Sequence, residues 1–195
     1  VKTRIGWADE KEFDLLADVY NHYPMMKSLT IHPRLRTDFY KGEVREKVFE
    51  EYFASFKMPL GYNGDIITVA DIRRVSERYR PLAHIMVGRA LMADPALFRK
   101  AKGGKAATLK EIQNYYDALL ESYRVAFGNL KNSLMRMKEY WFFQHNLFEG
   151  AEKAVKAIYK AKTLEDYTDA INRIYETCPL RSEALYGWKK PLADD

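Results

Sequence analysis

Four short runs decide the fold: Val1-Lys2-Thr3-Arg4-Ile5-Gly6, Leu29-Thr30-Ile31-His32-Pro33-Arg34, Leu60-Gly61-Tyr62-Asn63-Gly64-Asp65-Ile66 and His84-Ile85-Met86-Val87-Gly88-Arg89. Each is an apolar or β-branched run that closes on a polar or glycine cluster, as a buried strand does where it meets a loop. Lys2, His32, Asn63 and Gly88 follow one another at steps of 30, 31 and 25 residues. Such steps leave room for one helix between successive strands, which is βα periodicity. In a parallel barrel these strand ends meet on one face, where the active site lies, and glycines after the last strands are where a phosphate is held.

Working outward, residues 9–20 place Phe13, Leu16, Val19 and Tyr20 on one helical face, and Pro24 closes the segment. A second helix is expected near 45–56 with Val48, Tyr52 and Phe56 in register, stopped by Pro59. Thr68 to Asp71 has the form of a capping box, and Ile72 and Val75 face inward from the helix it starts. Asp94-Pro95 offers an N-cap followed by proline at the first helical position. The periodicity then stops. Lys102-Gly103-Gly104-Lys105 breaks the chain with two solvated glycines, and beyond it only helical patterns remain, at 108–127, 129–148, 150–161 and 163–177.

The expected fold is therefore α/β plus all-α: the C-terminal half of a TIM (β/α)8 barrel over 1–101, followed by a four-helix bundle over 102–195. A complete barrel needs roughly 250 residues, and the first residue already lies in a strand without an initiator methionine, so a trimmed or internal piece is expected. The outer strands of such a half barrel carry unpaired backbone groups, and self-association follows as an expectation. The tail from Pro179 onward reads as irregular.

With 47% hydrophobic and 30% charged residues, the 195-residue chain has the composition of a globular protein. No apolar run approaches the roughly 20 residues of a membrane span, and no signal-peptide pattern opens the chain; a cytoplasmic setting and no membrane partner are expected. One cysteine, Cys178, has no internal partner for a disulfide. The net charge of +5 is uneven: residues 96–162 hold 13 Lys/Arg against 6 Asp/Glu, whereas 1–95 hold 15 against 14. A basic block of this kind suits a polyanion or is a solvated face. No Cys/His or carboxylate cluster has metal-site spacing, and no P-loop or nucleophile elbow occurs.

The ordered set Val-Lys-x-Arg-x-Gly, Ile31-His32-x-Arg34 with a following Tyr40-Lys41-Gly42 loop, Tyr62-Asn63-Gly64-Asp65-Ile66, and Met86-Val87-Gly88-Arg89-Ala90 followed by Asp94-Pro95-x-Leu97 resembles the second half of the tRNA-dihydrouridine synthase family. Met135-Arg136-Met137-Lys138-Glu139-Tyr140-Trp141 resembles that family's tRNA-recruiting helical domain. The resemblance implies a flavoenzyme that takes hydride from NADPH onto FMN and passes it to C6 of a tRNA uridine, while a cysteine protonates C5. By motif, Lys2 and His32 would approach the flavin ring, and Asn63, Gly64, Asp65, Gly88 and Arg89 would hold the phosphate. The family's Asn-x-Gly-Cys-Pro stretch has no counterpart here; Cys178-Pro179 lacks the glycine and follows the last helix. No catalytic residue is therefore assigned, the missing N-terminal half of the barrel is an implied partner, and this piece alone is expected to be inactive.

Each residue also has a plain structural reading. Lys2 could be a strand-edge charge, His32 could hydrogen-bond a loop, Asn63-Gly64-Asp65 could be an ordinary turn, and Gly88-Arg89 could end a strand. His22 and His84 suit helix-end and strand-start roles, and His145 packs or caps. For tRNA, the candidates are Arg34, Arg136, Lys138, Lys153, Lys156 and Lys160, with Arg124 and Lys131 beside them; Lys153, Lys156 and Lys160 fall at i, i+3 and i+7 of one helix. Tyr140 and Trp141 are the aromatic pair expected at the surface. Two other functions stay open: a non-catalytic RNA-binding or assembly module, and another FMN-binding barrel oxidoreductase such as a dihydroorotate-dehydrogenase relative.

Overall fold

A computed structural model describes residues 1–39 and 42–184. Tyr40 and Lys41 of the Tyr-Lys-Gly loop and most of the tail expected to be irregular lie outside the described residues. The chain divides into two compact units, Val1–Ile66 with Ala70–Val87, and Ile67–Val69 with Gly88–Asp195.

The first unit is a parallel sheet in the order β1-β2-β3-β4. β1 (Lys2–Gly6) leads through α1 (Glu12–Asn21) to β2 (Leu29–Leu35), then through α2 (Glu46–Phe53) to β3 (Leu60–Tyr62), and through α3 (Val69–Arg78) to β4 (His84–Ile85). Every connection contains a helix, as parallel pairing requires. β4 is shorter than the run at 84–89 suggests. The backbone N–H of Met86 still donates to the Tyr62 carbonyl at 2.8 Å, but the chain then leaves the ladder.

The helices cover the apolar side of the sheet. α1 buries Phe13 and Ala17, while Val19, expected inward, is half exposed. The shift follows from where the helix starts: with Glu12 as its first residue, the buried stripe passes through 13 and 17. In α2, Phe49 is the fully buried anchor and the expected Val48, Tyr52 and Phe56 are only partly covered. Phe49 packs edge-on against Tyr62 of β3 at 5.0 Å and Tyr79 at 4.9 Å between ring centroids, geometry that adds to the area each ring buries.

The second unit is helical. Two short helices, α4 (Arg89–Ala93) and α5 (Leu97–Ala101), precede α6 (Leu109–Phe127), α7 (Leu130–Gln144), α8 (Val155–Lys160) and α9 (Leu164–Thr177). The division thus falls at Gly88, ahead of the Lys102–Lys105 break. The glycine pair is a turn within this unit: the Gly104 N–H donates to the Arg99 carbonyl at 2.9 Å, and the Arg99 guanidinium reaches across to Glu111 at 2.6 Å. Asp94 does not cap a helix starting at Pro95 as expected. α5 begins at Leu97, and the Asp94 carboxylate accepts from the Ala96 N–H at 3.0 Å.

Local signals fix the ends of the long helices. Thr108 with Glu111, and Thr163 with Asp166, form reciprocal capping boxes at α6 and α9. Gly128 ends α6 in the left-handed region at φ 63°, where its lack of a Cβ costs nothing. α8 is two turns long and starts at Val155, because Gly150 takes φ 74° and 151–154 form turns. The third of the four expected helices is therefore shorter than the span 150–161 suggests. The core gathers around Trp141, which has no exposed surface and donates its indole N–H to the Tyr167 hydroxyl at 3.1 Å. Trp141, expected at the surface, is instead the largest buried side chain among the described residues; its one-residue neighbour Phe142 takes the outward position at 57% exposed.

Candidate functional site

Register decides which side chains share a face. Lys2 pairs with Thr30, Arg4 with His32, Thr30 with Gly61, and Gly61 with His84. Residues in register across a parallel ladder project to the same side, and neighbours two apart along a strand do so too. Lys2, Arg4, Thr30, His32, Arg34 and His84 thus stand on one face, while Thr3, Ile5, Ile31 and Tyr62 turn to the helices. The face away from the helices is polar and carries three cations.

Arg34 is the hub. Its guanidinium makes a bidentate pair with the Asp65 carboxylate at 2.7 and 2.6 Å, and its Nε donates to the Gly42 carbonyl at 2.7 Å. The two side chains are 1% and 4% exposed. Arg34, expected to contact tRNA, is therefore buried within the first unit with its donors engaged; the partner that draws it inward comes from a different strand end. A further Nη1 contact of 3.3 Å reaches His32 Nε2. Arginine can only donate, so Nε2 accepts and the imidazole proton is assigned to Nδ1.

Electrostatics agree with that tautomer. Burial pushes the His32 pKa down to about 3, helped by the charges of Lys2, Arg34 and Arg4 and opposed by Asp65. His32 is neutral at pH 7 and offers one N–H donor. Lys2 is also lowered, by burial first and by Arg4 second. Lys2 and His32 do not sit at the C-terminal strand ends that the sequence suggests: Lys2 is the first residue of β1 and His32 the middle residue of β2.

Asn63 ties three strands together just past the end of β3, its N–H donating to the Ile31 carbonyl of β2 at 2.9 Å and its amide to the Met86 carbonyl after β4 at 2.8 Å. Gly64 lies against the Tyr62 hydroxyl, which would be 2.3 Å from any Cβ placed there. Asp65 follows and holds Arg34. Gly88 and Arg89 belong to the second unit as the N-cap and first residue of α4. A Cβ at Gly88 would meet no atom within 4 Å. The structure thus brings Lys2, His32, Arg34, Asn63, Gly64 and Asp65 together in one unit. Arg4 and the Thr30–His84 hydrogen bond of 2.7 Å were not singled out by sequence reasoning; the signal for Arg4 was its i, i+2 spacing from Lys2 on a strand.

The basic residues of the helical unit divide by their partners. Arg136 pairs with Glu139 and Arg124 with Glu121 one turn away. Lys138 donates to the carbonyls of Tyr159 at 3.2 Å and Ala161 at 2.5 Å, closing the C-terminus of α8. Lys153, Lys156 and Lys160 are exposed. Only Lys156 and Lys160 are helical, since Lys153 precedes α8, so the expected i, i+3, i+7 stripe is two helical positions beside a turn. His145 Nδ1 lies 2.9 Å from the Trp141 carbonyl at the end of α7, and Cys178 is the C-cap of α9. Among the described residues no group of three His, Cys, Asp or Glu could hold a metal, and no helix is long and apolar enough to cross a membrane.

A family model described as dihydrouridine synthase (Dus) matches residues 1–185. The chain is 27% identical over 188 residues to a probable tRNA-dihydrouridine synthase of Rickettsia bellii, covering 89% of this chain and 57% of the relative. It is 30% identical over 140 residues to a probable tRNA-dihydrouridine synthase of Rickettsia prowazekii, covering 66% and 42%. Against tRNA-dihydrouridine synthase B of Pseudomonas aeruginosa it is 27% identical over 135 residues, covering 66% and 40%. The chain spans about half the length of these relatives. With a match that runs through the four strands and into the helical unit, the chain belongs to the dihydrouridine synthase family.

Proposed function

We propose that this chain is the C-terminal part of a flavin-dependent tRNA-dihydrouridine synthase, an oxidoreductase that reduces uridine to 5,6-dihydrouridine in tRNA with NADPH as reductant, and that it lacks the family's proton-donating cysteine. The observation that carries the reading is the polar sheet face, on which Lys2, Arg4 and a neutral His32 share one side and His32 is held against the buried Arg34–Asp65 pair. That donor set suits the electron-rich edge of a flavin: two cations and one N–H donor meet negative charge, and His32 need not change protonation to do so. FMN, when bound, would supply the hydride acceptor and donor. Asn63 and Gly64 would serve the phosphate from the first unit, and Gly88 and Arg89 are candidates for the phosphate by their motif. Asp65, expected at the phosphate, is better read as a positioning residue, since its carboxylate faces Arg34.

The tRNA partner would meet the exposed lysines of the helical unit, Lys153, Lys156 and Lys160. A cytoplasmic setting accompanies this reading. Two titrations test it. FMN binding followed by flavin fluorescence should be weak in this chain and weaker in Arg89→Ala; equal curves would remove Arg89 from the phosphate site. tRNA binding should lose about 1.8 from its log–log salt slope in Lys153→Glu/Lys156→Glu, the loss of two contacts on duplex-like charge; an unchanged slope would return these lysines to a solvated face.

A further inference from the structure

The turn after β1 and the segment after β2 carry an aromatic–guanidinium cluster that the flavin site does not use. Trp7 is 66% and Phe39 59% exposed, and the Arg36 guanidinium carbon lies 5.7 Å from the Trp7 ring centroid and 5.1 Å from that of Phe39. Large rings left in water contribute little to folding. Yet their backbone is held with unusual care. The Trp7 carbonyl accepts from both the N–H and the hydroxyl of Thr37, at 3.0 and 3.1 Å. The Glu12 carboxylate accepts from the N–H groups of Trp7, Ala8 and Asp9 at 2.7, 3.1 and 3.0 Å. Gly6 permits this close turn, because a Cβ there would lie 2.4 Å from the Asp9 carbonyl. Phe39 holds φ at 49°, an unfavourable region for a bulky side chain, with its carbonyl fixed by Arg4 Nη2 at 3.0 Å.

We propose that Trp7, Arg36 and Phe39 form a preorganised stacking platform for an unpaired base of the RNA substrate. The inference rests on the tRNA reading above and adds to it a site in the first unit. Charge argues for RNA over an apolar protein surface: among the described residues no carboxylate pairs with Arg36, so an apolar partner covering the cluster would bury an unneutralised guanidinium. A nucleotide supplies both a base π-face for the rings and a phosphate for the cation. The strain at Phe39 fits a ring whose position matters more than its comfort.

The test uses the 195-residue chain with two fluorescent probes, a short oligoadenylate and an unmodified tRNA transcript. Trp7→Leu should weaken oligoadenylate binding about tenfold, within the range of one lost base stack, while the slope against salt stays the same because no phosphate contact is removed. Phe39→Asn should also weaken binding, yet leave the thermal midpoint equal or higher, since asparagine tolerates a positive φ. Trp7→Tyr should recover most of the affinity. Parent-like binding of both RNAs by Trp7→Leu and Phe39→Asn overturns the platform, and so does a loss confined to the salt slope. The two readings fail separately: binding of tRNA that depends on Lys153 and Lys156 but not on Trp7 removes the platform alone. Binding of oligoadenylate through Trp7 without any affinity for tRNA removes the tRNA reading and keeps the platform. A parent chain that binds neither probe refutes both.

Discussion

The Arg34–Asp65 pair can be taken apart one charge at a time. Both side chains are within 4% of complete burial and their two hydrogen bonds measure 2.7 and 2.6 Å. Asp65→Asn keeps the shape but strands a guanidinium, and Arg34→Met keeps the aliphatic stem but strands a carboxylate. Breaking one side of such a pair costs about 3–5 kcal/mol, whereas replacing both by neutral groups of similar volume is often close to neutral. Each single variant should therefore lose about 3–5 kcal/mol, and the double variant should lose far less than their sum, a coupling of about 2 kcal/mol or more. Urea unfolding at pH 7 followed by far-UV circular dichroism measures all four corners of the cycle, read on the transition of the sheet unit if the two units melt apart. Arg34→Met should additionally raise the His32 pKa, since one of the charges that lowers it is gone. Single losses under about 1 kcal/mol that simply add would mean that solvent screens the pair as it does a surface ion pair, and the hub described above would not exist.

Three further outcomes are expected. His32 has a folded pKa of about 3 against 6.5 when unperturbed, so its contribution is complete above about pH 6.5 and declines as pH falls toward 3, by at most about 1.4 kcal/mol per pH unit; an imidazole resonance that titrates near 6.5 in the folded protein would contradict this. Lys138→Met should cost about 1 kcal/mol by freeing the last carbonyls of α8, lowering the melting temperature without altering the salt slope of tRNA binding. The outer edges of β1 and β4 have no strand partner among the described residues, so the isolated chain should self-associate; sedimentation as a monomer at tens of micromolar would exclude it.

What could be read from the sequence was what neighbouring residues determine. The capping boxes at Thr108 and Thr163, the turn at Gly128 and the first three strands announce themselves within a few positions. What escaped depends on contacts between distant segments. Arg34 looks like any basic strand-end residue until Asp65, 31 positions later, arrives beside it. Lys138 looks like an RNA contact until the end of α8 folds against it. Trp141 and Phe142 are adjacent aromatics whose inward and outward assignment turns on about 100° of helix rotation, fixed by Tyr167 from another helix. For the site, the motifs gave the residue names, and only the ladder register revealed that Lys2, Arg4 and His32 share one face.

The strap across β3 has an evolutionary consequence. His84 reaches from β4 to Thr30 on β2 by passing over Gly61, so closely that a Cβ at 61 would lie 2.1 Å from the imidazole Nε2. Three positions on three strands are thus coupled by one contact. A lineage that acquires alanine or serine at 61 must release the imidazole, and it then has no reason to keep either histidine at 84 or a hydroxyl at 30. Relatives should fall into two classes, one retaining glycine, histidine and threonine together and one lacking all three, with mixed combinations rare because each intermediate pairs a crowded backbone with an orphaned polar group.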